Sequence, residues 1–193
     1  MTADVNILAF AGSLRRGSFN KMLVRIAAAG ALRDGARVTD LDLRDYPLPV
    51  FDEDLEADRG LPENARALKD LFRAHNALLI ASPEYNSSLS AALKNAIDWV
   101  SRPEENRQPL DCFKGKVAGL LSAAAGGLGG MRALPHLREL LLNIHVIVVP
   151  SLVAVPAAHD AFDDDGSLKD EAKAAAARQL GRTVARLAAR LAQ

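Results

Sequence analysis

Five short apolar runs alternate with five amphipathic segments along this 193-residue chain, and that alternation constrains the fold more than any other feature. The runs at 6–11, 37–42, 77–82, 117–122 and 145–149 have strand length, and Val146 to Val149 is β-branched throughout. The segments 18–32, 62–74, 90–101, 131–143 and 168–192 read as helices. The fourth carries Pro135 near its start, where a missing N–H is tolerated. The last opens on a capping pattern, Ser167 with Asp170 three residues on, and then places Leu180, Val184, Leu187 and Leu191 on one face. Apolar strands alternating with helices require a parallel sheet covered on both sides. The reading is therefore α/β: a doubly wound sheet of five parallel strands in the order 2-1-3-4-5, helices on both faces, in one domain spanning 1–193.

In that topology ligands gather beyond the carboxyl ends of the strands, where strands 1 and 3 diverge. The loops after strands 1, 3 and 4 should share one crevice, and these three have unusual compositions. The first, Gly12-Ser13-Leu14-Arg15-Arg16-Gly17-Ser18-Phe19-Asn20, joins a buried strand to a helix. Such a turn aims backbone N–H groups and the positive end of a helix dipole at one point. Ser13, Ser18, Asn20 and Arg15 can add donors for a terminal phosphate. The spacing is neither G-x-G-x-x-G nor the Walker pattern, and an ordinary turn with Ser18 as N-cap is the competing reading. The second loop is Ser82-Pro83-Glu84-Tyr85-Asn86-Ser87-Ser88. The third runs from Ser122 through three alanines to Gly126, Gly127, Gly129 and Gly130, a composition that permits close approach to a flat ligand.

Composition removes several classes of function. Lysine and arginine total 24 and balance 24 aspartates and glutamates, whereas binding a phosphate backbone wants a basic excess; no nucleic-acid partner is expected. The longest apolar runs are strand-sized, so no membrane association is expected. The start, Met-Thr-Ala-Asp-Val, lacks a secretory pattern, and the single cysteine excludes an internal disulfide, which fits a cytoplasmic protein. One cysteine and four scattered histidines provide no metal set. The long 44–61 segment, with Pro47, Pro49 and the acidic run Asp52-Glu53-Asp54, reads as a lid or an interface loop, its acids as a solvated face. Asp163-Asp164-Asp165-Gly166 reads as a solvated turn.

Two motifs carry a resemblance. Gly12-Ser13-x-Arg15-x-x-Ser18-x-Asn20, and Pro83-Glu84-Tyr85-Asn86-x-Ser88 leading to Leu93-Lys94-Asn95-Ala96-Ile97-Asp98-Trp99, resemble the NADPH-dependent FMN reductase family. That family has the flavodoxin-like fold and includes quinone, azo-dye and chromate reductases. The resemblance runs from about Ile7 to the glycines near Gly130; the C-terminal third is generic. It implies FMN as cofactor and NADPH or NADH as reductant. It implies that Ser13, Arg15, Ser18 and Asn20 hold the FMN phosphate, and that Pro83, Glu84, Tyr85 and Asn86 border the isoalloxazine ring. Ser122, Gly126 and Gly127 then close its pyrimidine side. Ser90 and Ala91 stand where family members often have proline and glycine, which bears on how the third helix begins.

The chemistry is consistent with that implication. A dianionic phosphate needs charge-assisted donors, and a reduced ring, anionic along its N1–C2=O edge, needs N–H groups there. Hydride transfer at N5 needs orientation rather than a side-chain acid or base, so no catalytic side chain is expected. The leading reading is an enzyme passing reducing equivalents from nicotinamide to a small-molecule acceptor: a quinone, azo compound, metal oxyanion or free flavin, in ping-pong order. The alternative is a flavodoxin-like electron carrier, and a third is a scaffold that has lost its cofactor. Carriers of that kind are strongly acidic, and this chain is neutral. Trp99 is expected to pack against the sheet or a partner, Glu84 to turn away from the ring or pair at a subunit contact, and Cys112 to be inert. Arg132 is open to two readings, a nicotinamide phosphate contact or a helix surface, and Tyr85 to stacking or capping the rim. A homodimer or homotetramer is expected, with the third helix and the 44–61 loop at its interface.

Overall fold

The computed structural model describes residues 4–192. Residues 1–3, on which part of the leader argument rests, lie outside the described residues. The strands are β1 (Asn6–Ala11), β2 (Arg37–Asp42), β3 (Ala77–Ala81), β4 (Val117–Ala123) and β5 (Ile147–Val155). All pairs are parallel, in the order β2-β1-β3-β4-β5. The helices are α1 (Phe19–Arg33), α2 (Glu53–Arg59), α3 (Glu63–Ala74), α4 (Ala91–Ser101), α5 (Ala133–Asn143), α6 (Ala158–Ala161) and α7 (Glu171–Leu191).

Alternation along the strands splits the core into two layers. Ile7, Ala9 and Ala11 of β1 face one side, with Leu79 of β3 and Leu121 of β4, and pack under α1 and α7. Leu8 and Phe10 face the other side, with Leu78 and Ile80, and pack under α3, α4 and α5. The register pairs Ala11 with Ala81, and Ala81 with Leu121, so β1 and β3 finish level and β4 runs two residues further, to Ala123. Their following loops therefore emerge side by side at one edge.

Three expectations change. The acidic run is not merely a solvated face. Asp52 caps α2 by accepting from the N–H groups of Asp54 and Leu55, and Glu53 and Asp54 lie in its first turn, where carboxylates oppose the positive end of the dipole. The strand expected at 145–149 runs on to Val155 through Pro150. β5 is an edge strand, where a residue without an N–H is tolerated, and its pairing with β4 shifts between Ala118 and Leu120. The last helix starts at Glu171, capped by Asp170 accepting from the Lys173 N–H, while Ser167 is bound to Asp165 instead.

Candidate functional site

The β1–α1 loop spends the Arg15 N–H on Ser13 Oγ, at 3.3 Å, and leaves other donors free. Ser18 is the N-cap residue of α1, yet its side chain makes no capping hydrogen bond. Among the described residues, no protein acceptor takes the N–H groups of Phe19 or Asn20, the first two of the helix. Ser13 and Ser18 are buried at the floor of a cleft of about 220 Å³. Arg15 stands at its mouth with its guanidinium 5.4 Å from the centre of the Phe19 ring, and pairs with no carboxylate among the described residues. Two hydroxyls, an unpaired cation and a helix start with unspent N–H groups make an anion cradle.

Asn20 is placed differently. It is buried in the same wall, but its amide donates to the Ala123 carbonyl at 2.8 Å and accepts from the Ala123 N–H at 2.9 Å. It ties the first loop to the end of β4.

The β3–α4 loop is a miniature hairpin. Tyr85 and Ser88 exchange both backbone hydrogen bonds, at 3.0 and 3.1 Å, around Asn86 and Ser87 with φ of 49° and 65°. Two consecutive positive φ values define a type I′ turn, and asparagine tolerates it better than most residues. Tyr85 is 60% exposed at the rim of the cleft. Opposite lies the β4–α5 loop. Among the described residues, the N–H groups of Ala125, Gly126, Gly127 and Leu128 meet no protein acceptor. They line a second hollow of about 400 Å³ that shares Glu84, Ala124 and Ala125 with the first.

The glycines of this loop divide into two kinds. Gly129 and Gly130 have φ of 61° and 88°; a Cβ would meet Pro156 N at 2.6 Å from the first and Ser122 Oγ at 1.7 Å from the second. The fold itself demands them. At Gly126 and Gly127 a Cβ would meet nothing within 4 Å. What they leave open is the hollow.

A sequence model described as NADPH-dependent FMN reductase matches residues 5–160. An NAD(P)H-dependent FMN reductase of Pseudomonas aeruginosa is 41% identical over 173 residues, 89% of this chain and 88% of its own. The quinone reductase of Escherichia coli is 34% identical over 152 residues, 77% of this chain and 76% of its own. FerB of Paracoccus denitrificans, a flavoenzyme NAD(P)H:(acceptor) oxidoreductase, superposes with a TM-score of 0.78 at 30% identity, covering 95% of this chain and 97% of its own.

This chain belongs to the NADPH-dependent FMN reductase family.

It is thus an oxidoreductase of the FMN and nicotinamide type, with the flavodoxin-like fold. The donor sets fit FMN: anion donors gather at one end of the cleft and a row of unpaired N–H groups at the other. Of the residues expected to hold it, Ser13, Arg15, Ser18, Asn20, Pro83, Glu84 and Tyr85 line the first hollow. Asn86, Gly126 and Gly127 line the second. Ser122 lies in neither wall. It is fully buried behind the loop and donates to the Ser82 carbonyl at 2.7 Å, bracing β4 against the β3 loop.

Glu84 pairs within the chain. Its carboxylate accepts from the Arg132 guanidinium at 2.9 and 2.6 Å, and from the N–H groups of Arg132 and Ala133 at 3.0 and 3.3 Å. Burial pushes this carboxyl up, but the Arg132 side chain and the two N–H groups outweigh it and hold the carboxyl below its ordinary range. Arg132 thereby receives a partner that neither sequence reading anticipated.

Three further residues have partners that the sequence does not show. Ser90 caps α4 by accepting from the Leu93 N–H at 3.2 Å, and its hydroxyl donates to the Gly12 carbonyl, joining α4 to the first loop. Trp99 is fully buried and donates to the Pro49 carbonyl at 2.8 Å, and Asn95 bonds both Pro49 O and Phe51 N. Side-chain amides and an indole within a recurrent motif were the available signal; their target, 46 to 50 residues away, was not. Cys112 is buried, and desolvation raises its thiol to about 11, outweighing Lys69 and Arg73 nearby, which makes it a poor nucleophile.

Proposed function

We propose that the three loops hold FMN and that this protein uses it to carry reducing equivalents from NADPH or NADH to a small-molecule acceptor. One observation carries the reading: two adjoining hollows with Glu84, Ala124 and Ala125 in their shared wall have unpaired anion donors in the first and unpaired backbone donors in the second. Ser13, Arg15 and Ser18, with the N–H groups at the start of α1, bind the phosphate. The hairpin at 85–88 and the loop at 124–128 receive the ring, with Gly126 and Gly127 N–H groups against its pyrimidine edge. When bound, FMN supplies hydride chemistry at N5, accepting from the nicotinamide and delivering to the acceptor.

The chain's own contribution is orientation and electrostatics. Fixed N–H dipoles stabilise the negative charge that gathers on that edge, and they need no reorganisation as it forms. Nicotinamide and acceptor use the same open side beneath Tyr85, so one leaves before the other enters, in ping-pong order. The acceptors proposed are a quinone, an azo compound, a metal oxyanion or free flavin. We further read the chain as one cytoplasmic domain that works as a homodimer or homotetramer.

Fluorescence titration of FMN into wild type and Arg15→Ala tests this reading. Loss of a charge-assisted hydrogen bond weakens binding about 10- to 100-fold. An unchanged dissociation constant, or loaded protein that NADPH and NADH fail to bleach in the stopped flow, sinks it.

A further inference from the structure

The helix that follows the glycine loop does not cap itself. Arg132, its N-cap residue, has helical backbone angles and contributes no capping hydrogen bond. A cap residue ordinarily supplies an oxygen from its own side chain. Here the oxygens come from Glu84, 48 residues earlier, in the loop on the other side of the cleft. The four hydrogen bonds are all made by one carboxylate whose side chain is 8% exposed. A carboxylate at a helix start also opposes the positive end of the dipole.

The placement of this grip matters more than its strength. Glu84 stands in the wall shared by both hollows, immediately before the Tyr85–Ser88 hairpin. Arg132 and Ala133 follow Gly129 and Gly130 with only Met131 between, just past the loop bearing the free N–H groups. The carboxylate therefore bridges the two segments that face each other across the second hollow. Ser122, donating to the Ser82 carbonyl, sets their spacing at the base; Glu84 sets it at the rim. Turned toward Arg132, its charge is also compensated rather than aimed at the hollow.

We propose that Glu84 is the positioning residue for the ring end of this site: by gripping the first turn of α5 it fixes the gap between the 84–87 and 124–130 segments, and with it the hold of the loop N–H groups on the flavin edge. This rests on the FMN reading above. Glu84 touches no reacting atom; it acts through the loop it holds.

The two ends of the cleft predict different signatures. The phosphate carries the same charge in both oxidation states, so weakening its cradle leaves the reduction potential unchanged. The ring edge gains negative charge on reduction, so loosening its donors penalises the reduced form more. The experiment measures, for wild type, Glu84→Ala, Glu84→Gln and Arg15→Ala, the FMN dissociation constant, the midpoint potential of bound FMN, and the melting temperature of the FMN-free protein. Glu84→Ala should bind FMN about tenfold more weakly, and should shift the potential negative by about 30 mV, which corresponds to a tenfold greater loss in the reduced form. Glu84→Gln keeps an oxygen for the helix N–H groups but loses the ion pair, and should move both values part of the way. Arg15→Ala should weaken binding at constant potential.

A Glu84→Ala protein that melts lower but keeps the wild-type dissociation constant and potential overturns the proposal, because Glu84 then serves only the fold. Should that variant not fold, unchanged values in Glu84→Gln overturn it equally. If wild type binds no FMN, or Arg15→Ala binds it as tightly, the reading of the cleft itself fails and the proposal falls with it.

Discussion

Asn20 gives both hydrogen bonds of its amide to the backbone of one residue, Ala123, 103 positions along the chain. The pair extends the sheet by one artificial rung: a side chain on the first turn of α1 does for the end of β4 what a neighbouring strand would do. Both groups are buried, so neither can turn to water instead. Replacing Asn20 by alanine leaves a donor and an acceptor with reduced satisfaction, which costs about 2–3 kcal/mol. Urea unfolding of Asn20→Ala should show that loss, and FMN titration should show weaker binding, because the cradle and the glycine loop come apart together. A variant as stable as wild type would show the rung to be dispensable.

The glycine loop separates a binding role from a folding role within four residues. Gly126→Ala meets no atom in the protein, so its effect on stability should stay within about 0.5 kcal/mol. If the loop's closeness serves a flat ligand, the same methyl should weaken FMN about tenfold or more. Gly130→Ala should do the opposite first: with φ at 88° and Ser122 Oγ in the way, it should lower the melting temperature before any ligand is added. Melting curves and fluorescence titrations of the two variants side by side check both halves.

Several parts of this arrangement stood open in the sequence, and the reason is the range over which each was determined. Local pattern sufficed for the strands: Leu78 to Ala81 is apolar without break and has no alternative to burial on both faces. The order of the sheet followed from alternation, and the convergence of three loops followed from that order. The cradle residues were readable because Ser13, Arg15 and Ser18 sit within six positions. What was hidden is long-range pairing. Nothing near Glu84 announces that its partner is the start of a helix beyond the next strand. Nothing in the 44–61 segment shows that Asn95 and Trp99 will hold it. The short helix α2 was missed because proline and acidic residues read as loop, although Asp52 with Gly60 eight residues on is a cap at each end. The resemblance places Ser122 at the ring edge with Gly126 and Gly127, but β4 runs on to Ala123, so Ser122 is a strand residue buried among its neighbours and spends its hydroxyl on the Ser82 carbonyl.

Acid should weaken the protein through a set of carboxylates rather than one. Burial raises the carboxyls of Glu84, Glu104 and Asp111, but hydrogen bonds from Arg132 to the first and from Arg73 to the other two outweigh it, and all three lie below their ordinary values. A group lowered in the folded state stabilises fully above its unfolded value and loses that contribution as pH falls through its folded one. Melting temperature should therefore be level from neutral pH down to about 5 and fall below the ordinary glutamate value of 4.5. Glu84→Gln should remove part of that slope without altering the plateau's shape. A profile for the variant parallel to wild type throughout would mean that Glu84 titrates alike in the folded and unfolded chain.

Two side chains of α4 hold the 49–51 stretch of the 44–61 segment, while Asn64 donates to the Pro47 carbonyl at 2.8 Å and Arg102 pairs with Glu56 at 2.7 Å. Asn95 accepts from Phe51 N–H at 2.8 Å and donates to the Pro49 carbonyl at 2.9 Å, and the Trp99 indole donates to that same carbonyl at 2.8 Å. The Phe51 ring meets Trp99 edge-to-face at 5.0 Å, and the Arg102 guanidinium lies over the Phe51 ring at 5.0 Å. Asn95→Ala removes two of the three hydrogen bonds from α4 but no part of either core layer. The segment should consequently open locally while the sheet holds. Losing about 1.4 kcal/mol of local hydrogen bonding raises the open population about tenfold, and cleavage by a protease follows that population when closing outpaces cutting. Limited proteolysis of Asn95→Ala should thus cut between residues 46 and 61 about tenfold faster than in wild type, at nearly unchanged global stability. Equal cutting rates would place the hold on this segment in the Phe51 packing, and a matching fall in global stability would make it part of the main cooperative unit.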